Sequence, residues 1–226
     1  MIYLLTPTGG RHEGFALLAG YINAQTYTEA LIWIVVDDCD PATPIPAMRE
    51  GIEVRVIRPG WRWMPGQNTQ AACMDAGLRH VPDNARLLVM EDDDLYLPEH
   101  IDTMAAALGR AELVGEFGAR YYNVATRRHR TIPSDRHASL AATGCRGDAL
   151  ALLRDICARG SRRIDMELWH GYAGAKAALP MANVVGIKGL PGRAGIGVGH
   201  RADFGQPDPQ GNTLRAWVGE RARAYL

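Results

Sequence analysis

The sequence predicts an α/β fold, a single domain in which helices cover both faces of a mostly parallel sheet. In the first half of the chain, apolar runs typical of strands alternate with segments of helical periodicity. Two of these runs, ending at Val36 and Met90, pass directly into acidic residues. The 226 residues, 47% of them hydrophobic, suit one globular core.

The first half of the chain divides into strands and helices by its apolar periodicity. The run at 31–36 is continuously apolar, which predicts an interior parallel strand. The run at 53–57 alternates with charged residues, which predicts a more exposed strand. The predicted strands are 2–5, 31–36, 53–57 and 87–90, and the predicted helices are 12–23, 67–80 and 101–113.

The second half has a weaker pattern. We expect a strand at 118–125, an exposed turn or loop at 127–130, and helices at 149–158 and 164–178. From Gly186 onward, glycines are too closely spaced for a regular helix. This segment predicts a loop that folds over a ligand.

Four acids, Glu91 to Asp94, follow the apolar strand at 87–90 without a break. Because buried charge without compensation is very costly, the chain must reach a polar site here. In open α/β sheets, ligands bind at the carboxyl ends of the strands, and carboxylate oxygens suit hard divalent cations. The alternative is that these acids favour the N-terminal end of a helix that opens at Pro98. Asp37, Asp38 and Asp40 repeat the pattern after the strand at 31–36.

Composition limits the cellular setting. No apolar run reaches the roughly 18 residues that a membrane helix needs, and the N-terminus lacks the basic start of a signal peptide. The four cysteines are scattered, which predicts reduced thiols in a cytoplasmic protein.

The net charge is zero, yet residues 118–163 carry ten arginines against three acids. That segment is either a solvated face or a surface for an anionic partner.

Four segments together resemble the family 2 glycosyltransferases of the GT-A fold, in residues, order and spacing. They are Thr6-Pro7-Thr8 with Arg11, the segment 23–27 (Asn-Ala-Gln-Thr-Tyr), the segment 35–38 (Val-Val-Asp-Asp) and the segment 91–98 (Glu-Asp-Asp-Asp-Leu-Tyr-Leu-Pro). The resemblance covers roughly residues 1–110. It implies a nucleotide-sugar donor, usually a UDP-sugar, and Mn²⁺ or Mg²⁺ as cofactor.

The resemblance also implies roles for individual residues. Asp37 or Asp38 would bind the nucleobase or ribose. Either Asp92-x-Asp94 or Glu91-x-Asp93 satisfies the spacing of the family's metal site. The implied donor-binding residues are Thr6, Pro7, Thr8, Arg11, Asp37, Asp38, Asn68, Asp92 and Asp93, and the implied metal ligands are Asp92, Asp93, Asp94 and His200.

An inverting enzyme of this family needs a general base for the acceptor hydroxyl. Asp165 matches the family's base position, although Ile164 replaces the usual Glu, and Glu167 is the second candidate. Asp165 could equally cap a helix, and His200 could be an ordinary surface histidine. We expect residues 1–113 to bind the donor and residues 114–226 the acceptor.

Other functions stay open at this point. A nucleotidyltransferase of related fold also uses acids and Mg²⁺, and a non-catalytic sugar-nucleotide or nucleic-acid binding module belongs to a different class. Neither the acceptor nor the oligomeric state follows from the sequence. The arginine-rich segment suggests one acceptor hypothesis, a hydroxylated base in DNA, which would have to be extruded from the duplex.

Overall fold

A computed structural model describes residues 1–193, 195, 198–201 and 203–226, with the backbone alone for Val198. The strands in chain order are β1 (Ile2–Thr8), β2 (Leu31–Asp37), β3 (Ile52–Ile57), β4 (Arg86–Val89), β5 (Asp94–Tyr96), β6 (Leu113–Phe117), β7 (Ala119–Asn123), β8 (Arg128–Ile132), β9 (Ala138–Cys145), β10 (Lys176–Pro180), β11 (Val184–Lys188) and β12 (Gln206–Pro207). The α-helices are α1 (His12–Asn23), α2 (Gln70–Leu78), α3 (His100–Leu108), α4 (Gly147–Ala158), α5 (Ile164–Gly171) and α6 (Asn212–Val218). Short 3-10 helices span Val198–His200 and Gly219–Ala224.

Among the described residues, seven strands form the main sheet in the order β10-β6-β9-β4-β1-β2-β3. β1 pairs in parallel with both β2 and β4, and β2 pairs in parallel with β3. β9 runs antiparallel to its neighbours β4 and β6. The ends of β1, β2 and β4 therefore meet at one edge, which is the edge that the sequence marks with acids.

A second sheet of five strands has the order β12-β8-β7-β11-β5 within the described residues. Its strand β5 begins at Asp94, the last of the four acids. The acidic turn therefore joins β4 of the main sheet to β5 of the second sheet, and both sheets contribute to its surroundings.

Helices cover both faces of the main sheet, as predicted. On one face, Phe15 of α1 stacks on Trp33 of β2 with ring centroids 5.2 Å apart. On the other face, Gly77 of α2 approaches Val36 of the same strand so closely that an added Cβ would lie 2.8 Å from a Val36 methyl. Residues 33 and 36 point to opposite faces because side chains alternate along a strand. The prediction of a mostly parallel sheet covered on both faces is confirmed.

The prediction of an interior strand at 31–36 is also confirmed, since every residue of β2 is buried. The more exposed strand predicted at 53–57 is β3, which lies at the edge of the sheet and is partly exposed. Helix α1 spans the predicted residues. The predicted helix at 67–80 is shorter, because the chain reaches α2 only at Gln70, and the predicted helix at 101–113 ends at Leu108, since Leu113 already belongs to β6.

The loop expected from Gly186 onward begins only after β11, which ends at Lys188, and the chain forms helix α6 further on. Two further predictions for the second half are wrong. The helix expected at 164–178 ends at Gly171, and Lys176–Pro180 forms β10, paired in parallel with β6. The loop expected at 127–130 is largely strand β8, which pairs antiparallel with β7. In both places strand pairing overrides a local composition that favours another structure.

No α-helix in the described part of the chain combines the length and apolarity needed to cross a bilayer. The four cysteines are free thiols, as predicted.

Candidate active site

A cleft lies along the edge where β1, β2 and β4 end, with a cavity volume of about 420 Å³. Its lining comes from the end of β1, the acidic turn at 91–94 and the start of α2, together with β9 and the start of α5. A cleft at the carboxyl ends of parallel strands is where ligands bind in open α/β sheets.

The fold fixes the backbone of the acidic turn. The Glu91 N–H donates to the Tyr96 hydroxyl (2.8 Å), and the Asp94 N–H donates to the Glu91 carbonyl (3.3 Å). Helix α1 packs against the turn through Gly14, where an added Cβ would lie 2.5 Å from the Asp92 carbonyl oxygen. This tight turn points Asp92 toward Thr8 and Arg11 and brings the other three carboxylates together.

Asp92 points toward β1 and α1. Thr8 Oγ1 donates to Asp92 Oδ2 (2.7 Å), and the Arg11 guanidinium lies 3.0 Å from Asp92 Oδ1. Burial raises the pKa of Asp92 to about 6, even though Arg11 acts in the opposite direction. Thr8 and Arg11, both predicted to line the donor site, do line the cleft, and both also hold this acid in place.

Glu91, Asp93 and Asp94 form what we call the acid trio. Each offers one carboxylate oxygen, and the three oxygens lie within 4.8 Å of one another. Three oxygen ligands at this spacing fit Mg²⁺ or Mn²⁺. The structure therefore brings predicted ligands Asp93 and Asp94 together with Glu91, while Asp92 lies outside the trio.

The charge balance of the trio also suits a cation. Burial raises the pKa of Glu91 to about 8 and that of Asp94 to about 6, and the neighbouring carboxylates add to both shifts. Burial also acts to raise the pKa of Asp93, but Lys188 and Arg11 outweigh it and the net shift is downward. The turn thus gathers more negative charge than its two basic neighbours compensate, and a divalent cation would relieve the excess.

Lys188 is a site residue that our sequence predictions missed. Its Nζ lies 3.0 Å from Asp93 Oδ2 and 2.9 Å from Asp94 Oδ1. Burial opposes its charge, yet Asp93 and Asp94 outweigh burial and raise the pKa of Lys188. A signal was present in the sequence, because Lys188 directly follows the apolar run of β11, as the acids follow β4.

The other end of the cleft is built around Asp38, which follows β2. Thr69 Oγ1 donates to Asp38 Oδ2 (2.7 Å), and the Arg193 guanidinium pairs with both carboxylate oxygens of Asp38. The same guanidinium stacks over Trp63, 4.4 Å from the ring centroid. Arg193 was not predicted from sequence, since nothing local links it to a residue 155 positions away.

The remaining predicted donor residues divide into two groups. Pro7 and Asn68 line the cleft, and Asn68 Oδ1 also accepts the first N–H of α2 (3.1 Å). Thr6 is fully buried and accepts a hydrogen bond from Trp33 Nε1 (2.9 Å), so it belongs to the core. Asp37 accepts two N–H groups of the loop after β2 (3.0 and 2.7 Å), and Asp38, not Asp37, lines the cleft.

Asp165 lines the cleft from the first turn of α5. Its Oδ1 accepts the Met166 N–H (2.8 Å), so it also supports the start of the helix. Glu167 is exposed, accepts a hydrogen bond from Ser161 Oγ (2.6 Å) and is not among the residues that line the cleft. Of the two base candidates, the structure places only Asp165 in the cleft.

His200 lines the cleft beside the trio, with Nε2 3.9 Å from Asp93 Oδ2. Burial, together with Lys188, lowers the pKa of His200 and favours the neutral ring that can bind a metal. The predicted glycine-rich loop around it lies partly outside the described residues, at positions 194, 196, 197 and 202.

Most arginines of the basic segment bind their own chain. Six of the ten donate side-chain hydrogen bonds to backbone carbonyls: Arg120, Arg127, Arg128, Arg146, Arg154 and Arg159. Of the other four, Arg162 lines the cleft close to Asp165. The surface that could meet an anionic partner is therefore smaller than the composition suggests.

No protein-family model and no curated protein matches the sequence. Solved structures do match its fold. S. aureus TarS 1–349 in complex with UDP is 13% identical with a TM-score of 0.56, over 82% of this chain and 60% of that one. The same protein in complex with UDP-GlcNAc is 14% identical with a TM-score of 0.55, over 86% and 59%.

The mannosyltransferase PcManGT from Pyrobaculum calidifontis, in complex with GDP-Man and Mn²⁺, is 13% identical with a TM-score of 0.52, over 84% of this chain and 57% of that one. This chain thus spans about three fifths of the length of TarS 1–349 and of PcManGT, and 36% of a longer TarS chain. The shared architecture is a GT-A-like glycosyltransferase fold, as the sequence resemblance implies.

Proposed function

We propose that this chain is a metal-dependent, family 2-like glycosyltransferase that moves a sugar from a nucleotide-sugar to an acceptor hydroxyl. The observation that carries the proposal is a single cleft lined by the acid trio, Asp38 and Asp165. The structural neighbours bound to UDP, UDP-GlcNAc and GDP-Man with Mn²⁺ support it.

The donor would lie along the wall formed by the strand ends. Glu91, Asp93 and Asp94 would hold Mn²⁺ or Mg²⁺, in the role of the family's DxD motif, and His200, 3.9 Å from Asp93, would assist them. Such an ion, when bound, supplies positive charge to the diphosphate leaving group. Arg11 offers N–H donors beside the trio for the same diphosphate.

The nucleoside would reach the Asp38 end of the cleft. The carboxylate of Asp38 suits hydroxyl or N–H donors of a ribose or base, once Arg193 gives up that contact. We propose a UDP-sugar as donor, on the sequence resemblance and on the uridine nucleotides bound to TarS. We propose residues 1–113 as the donor-binding half and residues 114–226 as the acceptor-binding half, with Arg193 and His200 of the second half reaching the donor site.

Asp165 would act as general base. Its free carboxylate oxygen takes the proton of the acceptor hydroxyl as that oxygen attacks the anomeric carbon. The new glycosidic bond forms while the bond from that carbon to the diphosphate oxygen breaks, and the nucleoside diphosphate leaves with the electron pair. Attack from the face opposite the leaving group inverts the configuration at the anomeric carbon.

For the acceptor, a hydroxylated base in DNA stays our hypothesis. Its support is narrow, because Arg130, Arg136, Arg162 and Arg163 are the arginines of the basic segment for which no side-chain hydrogen bond is found in the described part of the chain. Duplex binding that weakens steeply with salt would support the hypothesis, and no duplex binding at low salt would exclude it.

Calorimetric titration with a panel of nucleoside diphosphates, with and without Mn²⁺, tests the proposed function. We expect one nucleotide to bind in a Mn²⁺-dependent way, and Asp93→Asn to abolish that dependence. The matched control is Asp135→Asn, which removes an exposed carboxylate away from the cleft. This variant should bind the nucleotide like the wild type. Absence of nucleotide binding by folded wild-type protein in the presence of Mn²⁺ would refute the proposal.

A further inference from the structure

Lys188 occupies an unusual place for a lysine. Its ammonium lies 3.0 and 2.9 Å from carboxylate oxygens of Asp93 and Asp94, two of the three members of the acid trio. The backbone around it is fixed, because the Val124 N–H donates to the Lys188 carbonyl (2.8 Å) and the Ile187 N–H donates to the Asp93 carbonyl (3.1 Å). The end of β11 thus holds a positive charge on the proposed cation ligands.

An ammonium and a divalent cation compete for such ligands. Both are attracted by the same two carboxylates, and at a few ångströms they repel each other strongly in a buried setting. The ammonium must also give up its hydrogen bonds to Asp93 and Asp94 before these two carboxylates can coordinate the cation. A cation therefore binds this trio more weakly while the ammonium remains there.

Arg11 differs from Lys188 in this respect. Its guanidinium also contacts Asp93 (2.9 Å), but it has a second partner in Asp92 (3.0 Å), which lies outside the trio. Arg11 keeps that partner when the trio binds a cation. Within the described residues, Lys188 has carboxylate partners only inside the trio.

The Lys188 side chain has a path of movement. Its stem packs against Gly199, where an added Cβ would lie 2.9 Å from Lys188 Cγ, and its Nζ lies 5.8 Å from the centroid of the Tyr121 ring. Tyr121 lines the cleft, so an ammonium that leaves the trio toward this ring stays within the cleft that the proposed donor would occupy. A lysine has a flexible stem that permits such a shift.

We propose that Lys188 is a resident counter-ion that competes with the divalent cation for Asp93 and Asp94. The free protein then binds the cation weakly, and tight binding requires the donor diphosphate, whose negative charge accepts the displaced ammonium. Only the claim about the donor diphosphate rests on the proposed function. Lys188 is in this view a positioning residue that couples cation binding to donor binding.

The test is Mn²⁺ affinity, measured by electron paramagnetic resonance of free Mn²⁺ at neutral pH without nucleotide. We expect Lys188→Met to bind Mn²⁺ at least about tenfold more tightly than the wild type, because a repelling charge is removed. Lys188→Arg should stay near the wild-type affinity. Lys176→Met, the chain's other lysine, removes an equal charge whose Nζ donates to the Trp169 carbonyl and serves as the control.

A second arm tests the coupling. A nucleoside diphosphate should tighten Mn²⁺ binding by a larger factor in the wild type than in Lys188→Met. Equal or weaker Mn²⁺ affinity of Lys188→Met without nucleotide would overturn the proposal. Should that variant fail to fold, Lys188→Gln replaces it, and Mn²⁺ must raise its melting temperature more than that of the wild type.

The two proposals fail separately. If no nucleotide binds but Lys188→Met gains Mn²⁺ affinity, the glycosyltransferase proposal fails and the counter-ion proposal is supported. If nucleotide binds with Mn²⁺ and Lys188→Met shows no gain, the counter-ion proposal fails alone.

Discussion

The raised pKa of Glu91 predicts an unusual pH dependence of stability. The unfolded chain loses this proton near pH 4.5, whereas burial and the neighbouring acids hold it on the folded protein until about pH 8. Between these values the folded state binds more protons than the unfolded state. The free energy of unfolding therefore falls as pH rises through this window, in the absence of metal.

Its magnitude follows from the width of the window. Over the two pH units from 5 to 7, the folded protein keeps the Glu91 proton almost fully while the unfolded chain has nearly lost it. This difference lowers the free energy of unfolding by about 2–3 kcal/mol. Glu91→Gln removes the titration and keeps an oxygen that accepts the Gln70 amide hydrogen bond found in the wild type.

The assay is urea unfolding followed by circular dichroism, at pH 5 and pH 7, in the presence of a chelator. We expect the wild type to lose about 2–3 kcal/mol relative to Glu91→Gln between these pH values, since the titrating groups outside this cluster are common to both proteins. Saturating Mn²⁺ should reduce that loss, because the cation favours the ionised acid. Parallel pH dependence of the two proteins would refute the reasoning about this cluster.

Three further predictions concern the base, the turn and the packing. Asp165→Asn should slow sugar transfer to the acceptor, measured as acceptor-dependent release of nucleoside diphosphate, at least about 100-fold, with nucleotide affinity within about twofold of wild type. Thr8→Val should lower the free energy of unfolding by about 1–2 kcal/mol in urea, because Asp92 loses a buried donor. In the same assay, Gly115→Ala should destabilise by about 1–3 kcal/mol, since the new Cβ would lie 2.5 Å from a β9 methyl, whereas Gly20→Ala, in open space within α1, should stabilise by about 0.5–1 kcal/mol. Equal effects of the two glycine substitutions, or an unchanged rate for Asp165→Asn, would contradict these expectations.

The first half of the fold was predictable because its signals are local. Continuous apolar runs mark β2 and β4, and the switch to acids at Asp37 and Glu91 marks the ends where a ligand site forms. Such a switch needs no knowledge of distant residues. The direction of each acid was not predictable, since it depends on partners such as Thr8 and Lys188 on other strands.

The second half was less predictable because long-range pairing decides it. The segment Lys176–Pro180 is rich in alanine and has good helix propensity, yet it completes the main sheet beside β6. β8 carries the charged residues Arg128 and Arg130, which favour a loop in a sequence-based prediction, yet it pairs with β7. Arg193 likewise reaches Asp38 only through the fold.

A crystal structure with Mn²⁺ and the nucleoside diphosphate selected by calorimetry would test the central claim most directly. We predict an anomalous Mn²⁺ peak within bonding distance, about 2–2.5 Å, of carboxylate oxygens of Asp93 and Asp94, with the diphosphate on the same ion and the nucleoside beside Asp38. A Mn²⁺ site away from the acid trio, or a nucleotide bound outside the cleft, would contradict the account.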